Sequence, residues 1–546
     1  MSYHTFDHPI RSVAVVGSGA SGTPAARHLR DAGLDVTVFE RQPTAGGIWN
    51  WSPEITKPLS VPTPPPSRGA FFPSIPAELG SEPQTAIKED ADGDLRHRFS
   101  PPNPVYWSLS NNVPTSTMAD FPYPPGTAEN IPHQELAGYL KSYSEHFELD
   151  KITSYNTRVE KAVKVLGTES TPPKWRLTLR KLESEGTDKA KETFWVQDFD
   201  ALVVATGHYN APFIPNIEGS SEWAAQWPTR VLHSSGYRKP DPFTGKNVLI
   251  IGIGTSGIDI ARDLATVANK VYLVGRNKTV GPDAYKTQRK FQRYMVPKNG
   301  EAVPEIKRFL PPTPGSDLED GQIELTDGRI ISGLSVIIFA TGFQYSTPFL
   351  PQFHHDPVLG KPEVDDKARL LITDGGGVLN LYRDVFYVPD PTLTFLGLSV
   401  NTSAFSFFEY QSLSIVRVYT GTARLPDEAG RRAAYKALVA QTGEGKFSHL
   451  MNKDNERKYV RETVEWLNRD AEWSGADKVE GHTPEWLAAS DRLQHSLLRK
   501  YGLDPAIVLA EIQAEIAAEK ARNAAAELPV EASPQVAPLA AAPVLA

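Results

Sequence analysis

An α/β fold built on two parallel sheets is predicted by three observations in this 546-residue chain. VAVVGSGASGTPAARHLRDAGLDVTVFER, Val13 to Arg41, runs apolar strand, glycine turn, helical pattern, second strand and acid. KNVLIIGIGTSGIDIARDLATVANKVYLVGR, Lys246 to Arg276, repeats that order. Each copy is followed later by an apolar strand carrying Ala-Thr-Gly, at Phe199–Tyr209 and Leu334–Tyr345. Strand, GxGxxG turn and helix in one βαβ unit form the Rossmann pattern for holding a dinucleotide. The prediction is therefore two Rossmann-like dinucleotide-binding domains, extended by amphipathic helices at the C-terminus.

In the first copy, Val13–Val16 reads as a buried parallel strand. Gly17, Gly19 and Gly22 then supply a tight turn, a close backbone approach and close helix packing. With Ser18, Ala20 and Ser21 between them, they leave a helix N-terminus whose free N–H groups and dipole receive a phosphate. Glu40 closes the second strand about 20 residues on, where a carboxylate accepts from ribose hydroxyls and repels a 2′-phosphate. This half, with Arg41 next in line, is expected to hold an adenosine diphosphate moiety without the extra phosphate. In the second copy, Gly252, Gly254 and Gly257 flank Thr255 and Ser256, and the acid position changes sign. The strand ends in Val274-Gly275-Arg276, with Lys278 nearby and no carboxylate. An arginine there satisfies a 2′-phosphate by charge-assisted hydrogen bonds, which points to NADP. The alternative is a solvated surface charge.

Composition narrows the class. At 40% hydrophobic and 22% charged the chain is ordinary globular protein, and a net charge of -8 without a basic run argues against nucleic acid. Cysteine is absent. That excludes disulfide staples, cysteine-ligated metals and thiol redox steps, and no metal-ligand set is assigned. The first apolar run leads into the glycine turn and is read as fold, not signal peptide. No apolar span reaches the roughly 20 residues of a membrane helix, so no integral membrane segment and a cytoplasmic setting are expected.

Taken in order, Ala45–Trp51 (AGGIWNW) carries paired glycines, Gly46 and Gly47, then Ile48 and Trp49. Residues 52–104, rich in proline and charge, read as an insertion of surface loops with little structure of their own. Val105–Pro124 reads as an irregular pocket wall. Pro132–Phe147 has helical spacing, and Ile152–Val165, Trp175–Lys181 and Thr193–Asp198 alternate as a small antiparallel unit. The glycines of the two Ala-Thr-Gly segments, Thr206-Gly207 and Thr341-Gly342, let the backbone turn beneath a cofactor. Residues 277–330 are again proline-rich and end in a hairpin around Asp327-Gly328. Leu393–Val400 reads as a strand and Phe405–Gly421 as a helix. The expected division is 1–225 for a first nucleotide domain, 226–333 for the second, and 334–450 returning to the first. A helical extension follows over 451–527, with a disordered tail over 528–546.

Two dinucleotide folds, one suited to unphosphorylated and one to phosphorylated ribose, pair an electron donor with an acceptor, most economically NADPH and FAD. Without cysteine the electrons cannot pass to a redox disulfide, and dioxygen is the remaining acceptor.

These residues resemble the flavin-containing monooxygenases, of the class B flavoprotein type. The matching segments are GSGASG at 17–22, FER at 39–41, GGIW at 46–49, LSNNVP at 109–114 and ATGHYNAPFIP at 205–215. HSSGY at 233–237, GIGTSGIDIA at 252–261 and ATGF at 340–343 complete the set. The family sequence FxGxxxHxxx(Y/F) is met by His233 and Tyr237, with Trp227 for its phenylalanine and Thr229 for its glycine. Baeyer–Villiger relatives end that motif in Trp-Pro, whereas Tyr237-Arg238 stands here. The resemblance implies NADPH reduction of FAD, oxygen addition as a C4a-hydroperoxide, and transfer of one oxygen to a soft nitrogen or sulfur of a small-molecule substrate.

It further implies that Asn112 lies beside the flavin as the catalytic amide, with Asn111 a rival one position away and a turn before Pro114 the plain alternative. Trp49 and Val159 are placed with the flavin nucleotide, and His233 near NADP. For Trp49 and His233 a core residue is the plain alternative, and Gln411 is also placed with the cofactor, though it reads equally as a helix neighbour. Baeyer–Villiger oxygenation of a ketone and a redox-inactive FAD scaffold are the two alternative functions. A homo-oligomer is compatible with all of them.

Overall fold

Val13, Ala14 and Val15 are wholly buried, and Val16 almost so, because both faces of the sheet they enter are covered. The computed structural model describes residues 2–168, 171–275, 290, 292, 294–297, 300–355, 367–500 and 502–526. The first sheet has seven strands in the order Leu381–Tyr382, Phe386–Tyr387, Leu393–Phe395, Ala201–Val204, Ser12–Val16, Asp35–Phe39 and Thr153–Ser154. The strands from Leu393–Phe395 to Thr153–Ser154 run parallel, and the two at the other edge are antiparallel. The helix Gly22–Asp31 lies on this sheet, burying Ala25, Ala26 and Leu29 in one apolar cluster with Val13 and Val15.

The second sheet has five parallel strands in the order Val231–His233, Val336–Phe339, Asn247–Ile251, Lys270–Val274 and Gly300–Val303. Its composition corrects the expected division at residue 333. Val336–Phe339 pairs with Asn247–Ile251 and Val231–His233, so the second Ala-Thr-Gly strand belongs to the second sheet. The physical reason is that such a strand closes the glycine turn of its own sheet.

The loops expected over 52–104 also hold regular structure. Gln84–Glu89 adds an edge strand to the antiparallel sheet Lys189–Phe199, Lys174–Glu185 and Thr157–Val165, and Asp94–Phe99 is a helix. All six side chains of that edge strand are exposed. It carries no alternation of burial for a pattern to reveal. Within 277–330, Gly300–Val303 and Ile306–Phe309 are strands, and Ile323–Leu325 pairs with Ile330–Ile331 around Asp327-Gly328. The strand at Leu393 stops at Phe395, since Gly397 turns the chain with φ +77°. The helices expected nearby form as His133–His146 and Ala404–Tyr419.

The C-terminal extension is helical. Lys453–Ser474 packs Trp466 and Leu467 into the cluster of the first sheet. Leu497, on Pro484–Lys500, joins Val248 and Ile338 of the second sheet. The extension thus touches both sheets. Among the described residues no helix is long and apolar enough to cross a membrane. The tail at 528–546 lies outside the described residues.

Candidate functional site

Both glycine turns are closed in the same way. Gly17 has φ +107° and Gly252 φ +112°, the left-handed backbone that favours glycine. Gly17 N–H donates to Phe39 O at 2.9 Å and Ala205 N–H to Val16 O at 2.9 Å, which presses the Ala205 carbonyl onto Gly17. A Cβ on Gly17 would lie 2.5 Å from that oxygen. In the second sheet Gly252 N–H donates to Val274 O at 3.0 Å and Ala340 N–H to Ile251 O at 2.8 Å. There Ala340 stands over Gly252 as Ala205 stands over Gly17. A side chain on Gly22 would overlap Gly17 O, and one on Gly257 would overlap Gly252 O. Each Ala-Thr-Gly segment is therefore one wall of its own glycine turn.

Over the first turn lies a cavity at the carboxyl ends of the strands, where open α/β sheets bind ligands. Strand order sets its length: it runs from Phe39, Glu40 and Arg41, past Gly17, Gly19, Ala20 and Ser21, to Thr206, Gly207 and Gly397. Its far end is formed by Ser399, Asn401, Thr402, Ala404 and Phe408, at the start of the helix Ala404–Tyr419. Gly47, Ile48, Trp49 and Val159 complete the part foreseen from sequence. Gly19 is also part of the lining, and a Cβ there would meet Gly47 in ordinary contact, its Cα at 3.5 Å and its N at 4.0 Å. Gly47 N lies beside it in turn, with Gly46 N–H donating to Ser18 O at 3.1 Å.

Glu40 is buried, and its carboxylate is engaged by protein as well as exposed to the cavity. Oε2 accepts from Ser18 N at 2.8 Å and Oε1 from Gln42 N at 2.8 Å. Arg41 donates to Asn210 Oδ1 at 2.7 Å. Asn103, in the insertion, was not foreseen. Its Nδ2 donates to Gly47 O and Asn50 O at 2.9 Å each, and its Oδ1 accepts from Gln42 Nε2 at 2.9 Å. It lines the cavity and ties the insertion to the Gly46-Gly47 loop. His208 is a second unforeseen lining residue. Its Nδ1 meets Gly397 O at 2.8 Å, and burial lowers its pKa to about 4. The sequence signal for His208 was its place directly after Thr206-Gly207; Asn103, in a proline-rich stretch, had none.

The remaining sequence candidates lie outside this lining. Ser18 is beneath it, holding Glu40 through its amide and hydroxyl. Asn112 is buried in the short strand Ser110–Asn112, its Oδ1 accepting from Thr115 Oγ1 at 3.1 Å. Gln411 is buried on the helix Ala404–Tyr419. Gly254 precedes the helix Thr255–Leu264, which begins with Thr255, Ser256 and Gly257. Thr341 Oγ1 donates to Phe213 O, and Gly342 O meets His233 Nε2 at 3.0 Å. His233 Nδ1 accepts from Ser235 N at 3.0 Å, so Nε2 carries the proton and donates to Gly342. Burial lowers the His233 pKa to about 4. His233 is thus a neutral core histidine that holds the second Ala-Thr-Gly turn. Trp227 takes the family's phenylalanine place as core, 5.0 Å and edge-on to Trp223, with Nε1 donating to Ser316 O at 3.2 Å. Arg276 lies outside the described residues.

Two glycine turns on two sheets of one chain, the first beneath a long cavity, define a protein with two Rossmann-like folds of the dinucleotide-binding class. Comparison with known proteins makes the class specific. The flavin-binding monooxygenase-like family matches residues 101–281, and the NAD(P)-binding Rossmann-like domain matches residues 15–54. Flavin-containing monooxygenase iboF of Amanita muscaria is 35% identical over 491 residues, covering 87% of this chain and 91% of that one. Flavin-containing monooxygenase ustF2 of Aspergillus flavus is 35% identical over 499 residues, covering 88% and 97%. In fold the chain is similar to S-allyl-L-cysteine S-oxygenase from Allium sativum, with TM-score 0.60 and 23% identity over 93% of this chain and 98% of that one. The chain belongs to the flavin-containing monooxygenases, flavoproteins with FAD and NADPH as cofactors.

Proposed function

We propose that this monooxygenase transfers one oxygen atom of O2 to a soft nitrogen or sulfur of a small organic substrate, with NADPH as the preferred reductant. The observation that carries the reading is the cavity over Gly17, which has the parts an FAD molecule needs in the order it needs them. Glu40 and Val159 suit the adenosine end, and the helix start at Ser21-Gly22 suits the diphosphate. Gly19 lines the cavity without a side chain, its backbone packed beside Gly47, which lets a phosphate approach it. The start of the helix Ala404–Tyr419 stands at the opposite end, where the ring system would lie, with Trp49 and Phe408 among the apolar walls.

Bound and reduced, FAD would supply the oxygen-activating chemistry. This chain's residues bind, orient and dehydrate it. Glu40 is held by Ser18 and Gln42, so it is oriented before ribose arrives. Trp49, Phe71, Phe349 and Phe408 exclude water, whose entry would divert oxygen to hydrogen peroxide. Asn112 lies behind the cavity lining, next to Val113, which packs in one cluster with Trp49, Ala404 and Phe405, and it is the polar residue we place toward the reacting atoms. Its Oδ1 is taken by Thr115, which orients the amide and leaves its NH2 group as a donor. The nucleotide domains are taken as 1–225 with 340–450 for FAD and 226–339 for NADPH, with 451–527 as the extension.

The test is reduction and product. Under excess NADPH without oxygen the yellow protein should bleach; a protein that stays yellow overturns the reading. With oxygen, NADPH use should be coupled to product from a thioether or an amine and not from a ketone. Arg276→Ala should raise KM for NADPH much more than for NADH, and equal effects would remove the 2′-phosphate role.

A further inference from the structure

The helix Ala404–Tyr419 begins at the cavity, and an acid from the C-terminal extension holds its start. Glu456, on Lys453–Ser474, is only 4% exposed, and a carboxyl oxygen of it accepts from Ser403 N at 3.0 Å. Thr402 and Ala404, on either side of Ser403, both line the cavity. So does Phe408, which packs in one cluster with Val460 and Met451 around the Glu456 turn. Neither the glycine motifs nor the family segments reach residue 456.

We infer that Glu456 is a positioning residue for the bound flavin: its carboxyl sets the electrostatic potential at the helix start facing the ring, and so the ring's readiness to accept electrons. The inference rests on the placement of the ring proposed above. A helix N-terminus carries roughly half a positive charge, which favours an electron-rich group beside it. A carboxylate on the residue before the helix opposes that charge, and a neutral carboxyl leaves it intact. Burial raises the Glu456 pKa to about 7, against the lowering effect of the Ser403 hydrogen bonds and of Arg457. The carboxyl therefore changes charge across the neutral range. The groups facing it are few. Ser403 presents its amide and hydroxyl from the helix it caps. Arg457, on the acid's own helix, is drawn away by Asp491 at 3.0 Å and by Leu487 O at 2.7 Å, both on Pro484–Lys500. Lys453, also on the acid's own helix, pairs with the same Asp491 at 2.9 Å.

The sign follows. Below about pH 7 Glu456 is neutral and reduction is easier; above it the carboxylate makes reduction harder. A unit charge gained at the start of that helix is expected to weigh on the order of tenfold on the equilibrium constant for reduction. The experiment equilibrates FAD-loaded protein with a reference redox dye from pH 6 to pH 8.5, for the wild type, Glu456→Gln and Glu456→Asp. Expected is a dye equilibrium that matches in the wild type and Glu456→Gln at pH 6 and falls in the wild type about tenfold further than in Glu456→Gln by pH 8.5. Glu456→Asp should keep the wild-type pattern. A merely structural role would move the unfolding midpoint and leave the dye equilibria parallel. Parallel wild-type and Glu456→Gln curves overturn the inference. Should Glu456→Gln not fold, the wild type alone tests it: the visible spectrum of the oxidised bound flavin shifts with a midpoint near 7, and a spectrum constant over this range overturns the inference. Purified protein without flavin overturns the ring placement and this inference together. A protein that bleaches with NADPH but shows parallel curves overturns this inference alone.

Discussion

The carbonyl oxygen of Ala205 stands 2.5 Å from where a Cβ on Gly17 would sit, two residues drawn together from opposite ends of the first nucleotide unit. Ala340 repeats the relationship over Gly252 in the second. The Ala-Thr-Gly segment is therefore part of the glycine turn, delivered by a neighbouring parallel strand. Each turn is a three-strand device: its own strand, the neighbouring strand Asp35–Phe39 or Lys270–Val274, and the strand that leads into Ala-Thr-Gly.

Gly22 and Gly19 of the first turn should respond differently to alanine. Gly22→Ala drives a methyl into Gly17 O, and overpacking of this kind costs about 1–3 kcal/mol. Gly19→Ala meets Gly47 in ordinary contact, Cα at 3.5 Å and N at 4.0 Å, and should leave the unfolding midpoint unchanged while weakening flavin binding. Urea unfolding of the apoprotein and the flavin-to-protein ratio separate the two. Equal loss of stability in both would contradict the geometry.

Asn103→Ala should loosen the cofactor. It removes the donor to Gly47 O and Asn50 O and the acceptor of Gln42 Nε2, leaving buried polar groups unpaired at about 1–3 kcal/mol. Flavin release should quicken, read as fluorescence regained on dilution. Release at the wild-type rate would mean that the insertion does not hold the Gly46-Gly47 loop.

His233 should make stability fall in mild acid. Buried and neutral, it is lowered from 6.5 to about 4, so between those values the unfolded chain takes up a proton that the folded chain refuses. Its contribution is complete above pH 6.5, drains as pH falls toward 4, and changes no further below. The span corresponds to on the order of 3 kcal/mol. Denaturation midpoints at pH 7.5, 5.5 and 4.5 should drop less steeply in His233→Gln. Identical slopes would mean that another group carries the dependence.

Trp227 tests the departure from the family motif. Trp227→Phe restores the family residue, keeps the edge-on contact with Trp223 and loses only the hydrogen bond to Ser316 O, a cost of about 1 kcal/mol. Trp227→Ala empties the site at about 3–5 kcal/mol. Thermal unfolding distinguishes them. A large loss in Trp227→Phe would assign the indole N–H a greater share than the packing.

Local pattern made much of this protein legible. Both glycine turns, their strands and helices, the antiparallel unit and the helix Ala404–Tyr419 follow from residue order, because their periodicity and glycine spacing act over a few residues. The strand Gln84–Glu89 was hidden because every side chain in it is exposed. Asn103 was hidden because its three partners lie at residues 42, 47 and 50, far from it in sequence.

Residue order alone specifies the two glycine turns and their glycines. What stands over them is set by the packed chain: Val336–Phe339 joins the second sheet, Asn103 fastens the insertion to the Gly46-Gly47 loop, and Glu456 accepts from Ser403 N. The reason is physical. A turn is specified by backbone conformations that a few neighbouring residues set, whereas a wall is specified by which distant surfaces bury against one another, and that depends on the whole chain folding at once.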